Sequence, residues 1–255
     1  MTAALGLDAY STSTLVFIAV AAALAGLARG LSGFGASLIF VPLASAVIGP
    51  KLAAPLLLVV DLVMSAGMLP NAWRLADKRE VGTMLIGTVV GVPAGAFVLL
   101  HADPIAIRWG LAAIIFPMLG VLMSGWRYHG TPAPPLTVGV GAAAGVMTGV
   151  ASVGGPPVVL YWLGGKGKAA AVRANIVLYF AASAMLACIV YAATGILTTS
   201  SLGLALLIAP VYGLAVYAGS HMFGLASERV FRGICYALIA GAGLVSLPVF
   251  DGVVR

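Results

Sequence analysis

The residues able to do chemistry in this chain are few, and they sit inside long apolar runs. Residues 30–35 read Gly-Leu-Ser-Gly-Phe-Gly, and residues 149–157 read Gly-Val-Ala-Ser-Val-Gly-Gly-Pro-Pro. Glycine frees the backbone, and proline removes an amide donor together with a helical hydrogen bond. A helix interrupted at such a point exposes N–H groups at its new N-terminus, and those donors and the helix dipole attract an anion. Ser32, Gly33, Phe34 and Gly35 form one such end; Ser152, Val153, Gly154 and Gly155 form the other. Together they suggest a two-sided anion cradle with hydroxyl donors from Ser32 and Ser152. The alternative reading is that the glycines only let helices pack closely.

Arg29 stands beside the first break, within an apolar stretch and away from any loop. A charge in hydrocarbon is costly and is a functional candidate by default. Its guanidinium fork can hold an anion, pair with Asp61, or snorkel to a water layer. Asp61 is the one acid inside an apolar stretch. Such an acid needs a partner or a proton, so it is a proton-coupling group, a countercharge to Arg29, or a polar contact between helices. Alone it does not make a hard-cation site, which needs several oxygen ligands. Asn175, Tyr179 and Ser183 recur every four residues and share one helix face. That face looks into a cavity or bonds a neighbouring helix. His101, His129 and His221 lie at or near loops, and Cys188 and Cys235 lie in apolar segments. No metal-ligand spacing links them, and neither a metal nor a cofactor is expected. Trp73, Trp126, Tyr128 and Trp162 lie near segment ends, where interfacial belts occur.

The elements that must hold these residues follow from composition. The chain has 255 residues, 62% apolar and 8% charged, and its mean hydropathy is +1.14. A soluble domain carries about 25% charged residues, so the chain is read as an all-α polytopic membrane protein in a lipid bilayer. The net charge of +6 comes from Lys and Arg in short loops and points to topology, with no nucleic-acid partner. The first residues, MTAALGLDAYSTST, carry no Lys or Arg, and no cleaved signal peptide is expected.

Apolar stretches run over about 14–49, 52–70, 82–100, 104–124, 136–164, 170–194, 200–222 and 229–249. As one helix, 14–49 would reach about 54 Å at about 1.5 Å per residue, far beyond a hydrocarbon core of about 30 Å. It must break at its glycines. Gly26, Gly30 and Gly35 match Gly145, Gly149 and Gly154 at an offset of 119, and Gly95 and Arg108 match Gly219 and Arg232 at 124. Two membrane repeats are therefore expected, 1–130 and 131–255, in one membrane domain. If each broken stretch is a hairpin, with three further spans per repeat, nine of the thirteen basic residues fall on one side, the cytoplasmic one. Lys51, Arg108 and Arg255 fall outside. The repeats are then inverted, as in many secondary transporters. Whether the hairpins are re-entrant or nearly spanning is left open.

At the glycine breaks the sequence also resembles a known family. Residues 26–42, GLARGLSGFGASLIFVP, and 145–163, GVMTGVASVGGPPVVLYWL, are similar to the paired signature of the TauE/SafE membrane anion transporters. The stretches DLVMSAGMLPNAWRLADKREV (61–81) and VRANIVLYF (172–180) fit the same family, and the likeness covers nearly the whole chain. Arg173 and Asn175 resemble a polar mouth in that family, although Arg173 also serves as an ordinary cytoplasmic anchor. Ala36 and Ser37 stand where many members continue with glycine, which slightly weakens the transfer of backbone-contact roles to those two positions. The resemblance implies movement of a small anion such as sulfite, sulfoacetate or another organosulfonate, in a bacterial inner membrane.

A secondary transporter for such an anion is the leading function class, with export favoured by the inside-negative potential and the anion's gradient or a proton as driving force. Alternating access would move one repeat against the other around the break loops. No nucleotide-binding loop is present, and an enzyme would need a nucleophile and base, paired acids or a metal cluster. A passive channel, or a carrier for another small solute or a cation, is the alternative. Oligomeric state is open, with a homo-oligomer among the options.

Overall fold

Both broken stretches are interrupted where the glycines fall. The structure is a computed structural model that describes residues 10–32, 35–125, 133–163, 169–222 and 228–250. Helix α1 (Thr12–Ser32) ends at the first break and α2 (Ala36–Ile48) starts after it. The second break separates α7 (Pro134–Ala151) from α8 (Gly155–Leu163). Gly33 and Phe34 lie outside the described residues, as does the side chain of Ser32. With 21 residues, α1 is about 32 Å long and can span, whereas the 13 residues of α2 reach about 20 Å and the nine of α8 about 14 Å. Each short arm packs on the helix before it. The second arm of each hairpin is thus too short to cross a core of about 30 Å.

The stretch expected at 52–70 is less regular than its sequence suggests. Helix α3 (Pro50–Ser65) passes through a 3-10 turn at Ala66–Met68 into a short α4 (Leu69–Leu75). Helices α5 (Lys78–His101) and α6 (Pro104–Ser124) follow, and Asp77 and Asp103 cap them by accepting from the amides of residues 79 and 80, and 105 and 106. Such caps satisfy otherwise orphaned N–H groups. Then come α9 (Ala169–Ala193), α10 (Thr199–Met222) and α11 (Glu228–Val245). Among the described residues no strand occurs, and seven helical runs are long and apolar enough to cross a membrane. The chain is an integral, multi-pass membrane protein.

Two glycine-lined contacts organise these helices. Helix α5 lies against α7, and α1 against α10. A Cβ added at Gly91 would come within 2.9 Å of the Val146 amide and 3.0 Å of Gly145 Cα; one at Gly149 would come within 3.0 Å of Gly95 Cα. Across the other contact, a Cβ at Gly26 would lie 2.7 Å from the Tyr212 carbonyl oxygen, and one at Gly30 2.9 Å from Gly219 Cα. Only glycine permits these approaches, which maximise dispersion contact where lipid offers no hydrophobic drive. The pairings exchange the two halves of the sequence. Gly30 meets Gly219, and Gly149 meets Gly95; the sequence offsets align Gly30 with Gly149 and Gly219 with Gly95, so the two contacts are counterparts.

The result is two bundles that each draw on both halves. One contains α1, α2, α3 and α10; the other contains α5, α7, α8 and α9, with α4 on its side. They meet chiefly along α3 and α9. The amide of Asp77 donates to Asn175 Oδ1 at 2.7 Å, and Asn175 Nδ2 donates to Glu80 Oε2 at 3.2 Å. The loop before α5 and the start of α9 therefore lie at the same end of the molecule. At the other level, Lys51 Nζ donates to the Leu100 carbonyl at 2.8 Å.

Candidate functional site

Arg29, in the last turn of α1, points across to α3. Its Nη1 lies 2.9 Å from Asp61 Oδ2, and its Nη2 donates to Ser65 Oγ at 2.9 Å. Asp61 and Ser65 are four residues apart on α3 and share a helix face. The second carboxylate oxygen, Asp61 Oδ1, accepts from the Tyr212 hydroxyl at 2.6 Å. Tyr212 is fully buried, and the close α1–α10 contact brings it there. Of the readings open to these two charges in sequence, pairing with each other is the one observed. The pair is not sealed off: the side chains of Arg29 and Asp61 keep 15% and 27% of their exposure.

That exposure opens into a cavity of about 70 Å³ between the two bundles, several times the roughly 10–15 Å³ that admits one water. One wall carries Arg29 and Asp61 with Gly35, Ala36 and Ser37 from the start of α2. The opposite wall carries Thr148, Ser152, Gly154 and Gly155 from the second break and Ser183 from α9. Leu57, Leu58, Phe180 and Ala184 complete it with apolar surface. The cavity thus brings both glycine breaks together with Arg29 and Asp61. Among the described residues that line it, Arg29 and Asp61 are the ionisable ones.

The two helix starts are chemically unequal. Gly35 caps α2 with φ of 92°, a left-handed backbone that glycine adopts without strain. Next come Ala36 and Ser37, both with amide hydrogens. Helix α8 opens Gly-Pro-Pro, so Pro156 and Pro157 contribute no N–H. The donor-rich wall is therefore the one that also carries Arg29. On the other wall the Thr148 hydroxyl donates to the Ala144 carbonyl at 2.8 Å, and that of Ser152 to the Ala54 carbonyl at 3.2 Å. Ser152 ends α7 with φ of 58°, a conformation uncommon for a residue with a side chain and one that gathers at functional sites. Gly154 packs against α7, where a Cβ would lie 3.1 Å from the Ala144 carbonyl carbon. Val153 is fully buried in the core and does not line the cavity.

The polar face of α9 divides along its length. Asn175 bonds to Asp77 and Glu80, and the Tyr179 hydroxyl lies 2.9 Å from Thr88 Oγ1. Both are interhelical contacts away from the cavity, whereas Ser183 lines it. Arg173 is exposed at the start of α9, where it suits an anchor. Sequence reasoning missed Tyr212, Tyr191 and the buried setting of Arg108. Tyr191 donates to the Gly149 carbonyl at 2.8 Å and steadies the end of α7 beside the second break. Arg108 Nε donates to the Ser246 carbonyl at 2.8 Å, which ties α6 to the end of α11. The offset that aligned Arg108 with Arg232 was the available signal. Among the described residues no group of three or more His, Cys, Asp and Glu is placed to hold a metal ion.

A family model described as sulfite exporter TauE/SafE matches residues 18–246, which take in both bundles except the first turns of α1. Neither a curated protein nor a solved structure matches the chain. The match takes in α1 to α11 almost entire, both breaks and the charge pair between them. The chain belongs to the sulfite exporter TauE/SafE family.

Proposed function

We propose that this protein is a secondary transporter that exports a small sulfur-containing anion, sulfite or an organosulfonate such as sulfoacetate, by alternating access. One observation carries the reading: Arg29 and the donor-rich start of α2 face the second break across a cavity between two bundles. The oxyanion sits on the Arg29 wall, held by guanidinium and amide donors that match its oxygens. Ser152 and Ser183 line the facing wall.

The repeats are 1–130 and 131–255, inverted in the membrane. Support comes from the exchanged glycine pairings and from the shared end of the loop before α5 and the start of α9. The moving bodies are the two mixed bundles rather than the two repeats, because glycine contacts tie each repeat's first helix to the other repeat. The membrane potential favours anion exit by about 2.3 kcal/mol per charge per 100 mV. Catalysis is not part of this reading; among the described residues that line the cavity, the acid is Asp61, and it is paired with Arg29.

Counterflow tests it. Proteoliposomes preloaded with unlabelled sulfite should take up labelled sulfite faster than empty ones, and uptake should saturate. Uptake indifferent to preloading and linear in concentration would mean a channel and overturn the carrier reading.

A further inference from the structure

We infer that Asp61 is a tethered stand-in for the transported anion: it neutralises Arg29 in the empty carrier so that the unloaded site can cross between its two facings. This rests on the carrier reading above and adds the step that lets the cycle close.

The argument starts from what each atom of the pair does. Arg29 gives one terminal nitrogen to Asp61 and the other to Ser65, and Asp61 uses its second oxygen for Tyr212. The carboxylate therefore sits on Arg29 as an oxyanion substrate would, one oxygen on the guanidinium and one on a hydroxyl. Both partners line the cavity, so an entering anion meets Arg29 where Asp61 already holds it. From α1, Arg29 faces Asp61, and from α10, Tyr212 does; among the described residues, α2, α7, α8 and α9 add no ionisable group to the cavity.

All four residues of the network lie on α1, α3 and α10, within one bundle. The pair travels intact when that bundle moves against the other. Without Asp61, the empty site would hold an unpaired guanidinium away from bulk water, which is strongly unfavourable. A carrier in that condition moves loaded and stalls empty. Tyr212 is a positioning residue here: it holds one carboxylate oxygen so that the other meets Arg29.

The two transport modes separate this role from a structural one. Exchange uses only the loaded carrier, whereas net flux needs the empty carrier to return. Asp61→Asn should bind sulfite roughly tenfold more tightly, since a competing charge is gone. It should keep labelled sulfite exchange and lose net efflux into sulfite-free medium, while Asp61→Glu should retain both. A folded Asp61→Asn protein that keeps net efflux in proportion to exchange, or that binds sulfite more weakly and loses both modes, overturns the inference. A second measurement needs no variant. Voltage steps on wild-type membranes without sulfite should move no charge, because the empty site is neutral; a sulfite-independent movement near one elementary charge overturns it. Wild-type protein that neither binds nor exchanges sulfite would instead overturn the carrier reading beneath it.

Discussion

Arg29 holds Asp61 and Ser65 within the protein and, on this account, the substrate anion in turn, and its substitution distinguishes these roles. Hydrogen bonds to charged groups contribute about 1.5–3 kcal/mol, so Arg29→Gln should weaken sulfite binding by about 10- to 100-fold in protein that still elutes as a folded species. Unchanged affinity in folded protein would confine Arg29 to its pair with Asp61. Tyr212→Phe should have a smaller effect of the opposite sign: it frees Asp61 Oδ1, loosens the competitor and tightens sulfite binding a few-fold, read by the same titration. Both charges were legible in the sequence because ionised groups in an apolar run stand out physically. Tyr212 and Tyr191 were not, because tyrosine also suits lipid interfaces and the run around it gives no polar signal. The face shared by Asn175, Tyr179 and Ser183 was legible from spacing alone. Which neighbour it met at each level depended on packing that spacing does not encode.

At the scale of helices, close approach and interruption both depend on glycine, and the two uses respond differently to substitution. Gly91→Val should sharply reduce the thermal stability of detergent-solubilised protein, since a side chain there would overlap α7 backbone and overpacking costs about 1–3 kcal/mol or more. Gly139→Ala, on the same contacting pair of helices but with open space around it, should leave the melting temperature unchanged or slightly raised. Equal effects of the two would mean that the α5–α7 contact does not determine stability. The glycine offsets made both breaks legible and aligned residues that are found in equivalent contacts. The 3-10 turn at Ala66–Met68 was not anticipated, although Pro70 carried its signal: proline lacks the amide that would bond back to residue 66 and disfavours helix at residue 69. The unequal donor supply of the two breaks was also written in the sequence, in Pro156 and Pro157, and became meaningful once the two starts faced one cavity.

For the whole molecule, the question is which parts move. Spin labels at exposed positions Val20 on α1, Val90 on α5 and Leu214 on α10 separate two schemes. If the mixed bundles are the rigid bodies, adding sulfite should leave the 20–214 distance fixed and shift the 20–90 distance. If the repeats move as units, the 20–90 distance should hold and the 20–214 distance should change. The membrane class could be read from composition, but the mixing of the two halves of the sequence into bundles could not, because it arises from contacts between α1 and α10 and between α5 and α7 that lie far apart in the chain. The central claim is that an anion is carried through the cavity that holds Arg29 and both breaks. Its most direct test is to reconstitute the protein on a solid-supported membrane and record currents with sulfite, sulfoacetate, taurine, sulfate and chloride. The account predicts a saturable current with a sulfur oxyanion, shifted to higher concentration by Arg29→Gln. Currents with none of these anions, or a current that Arg29→Gln leaves untouched, would contradict it.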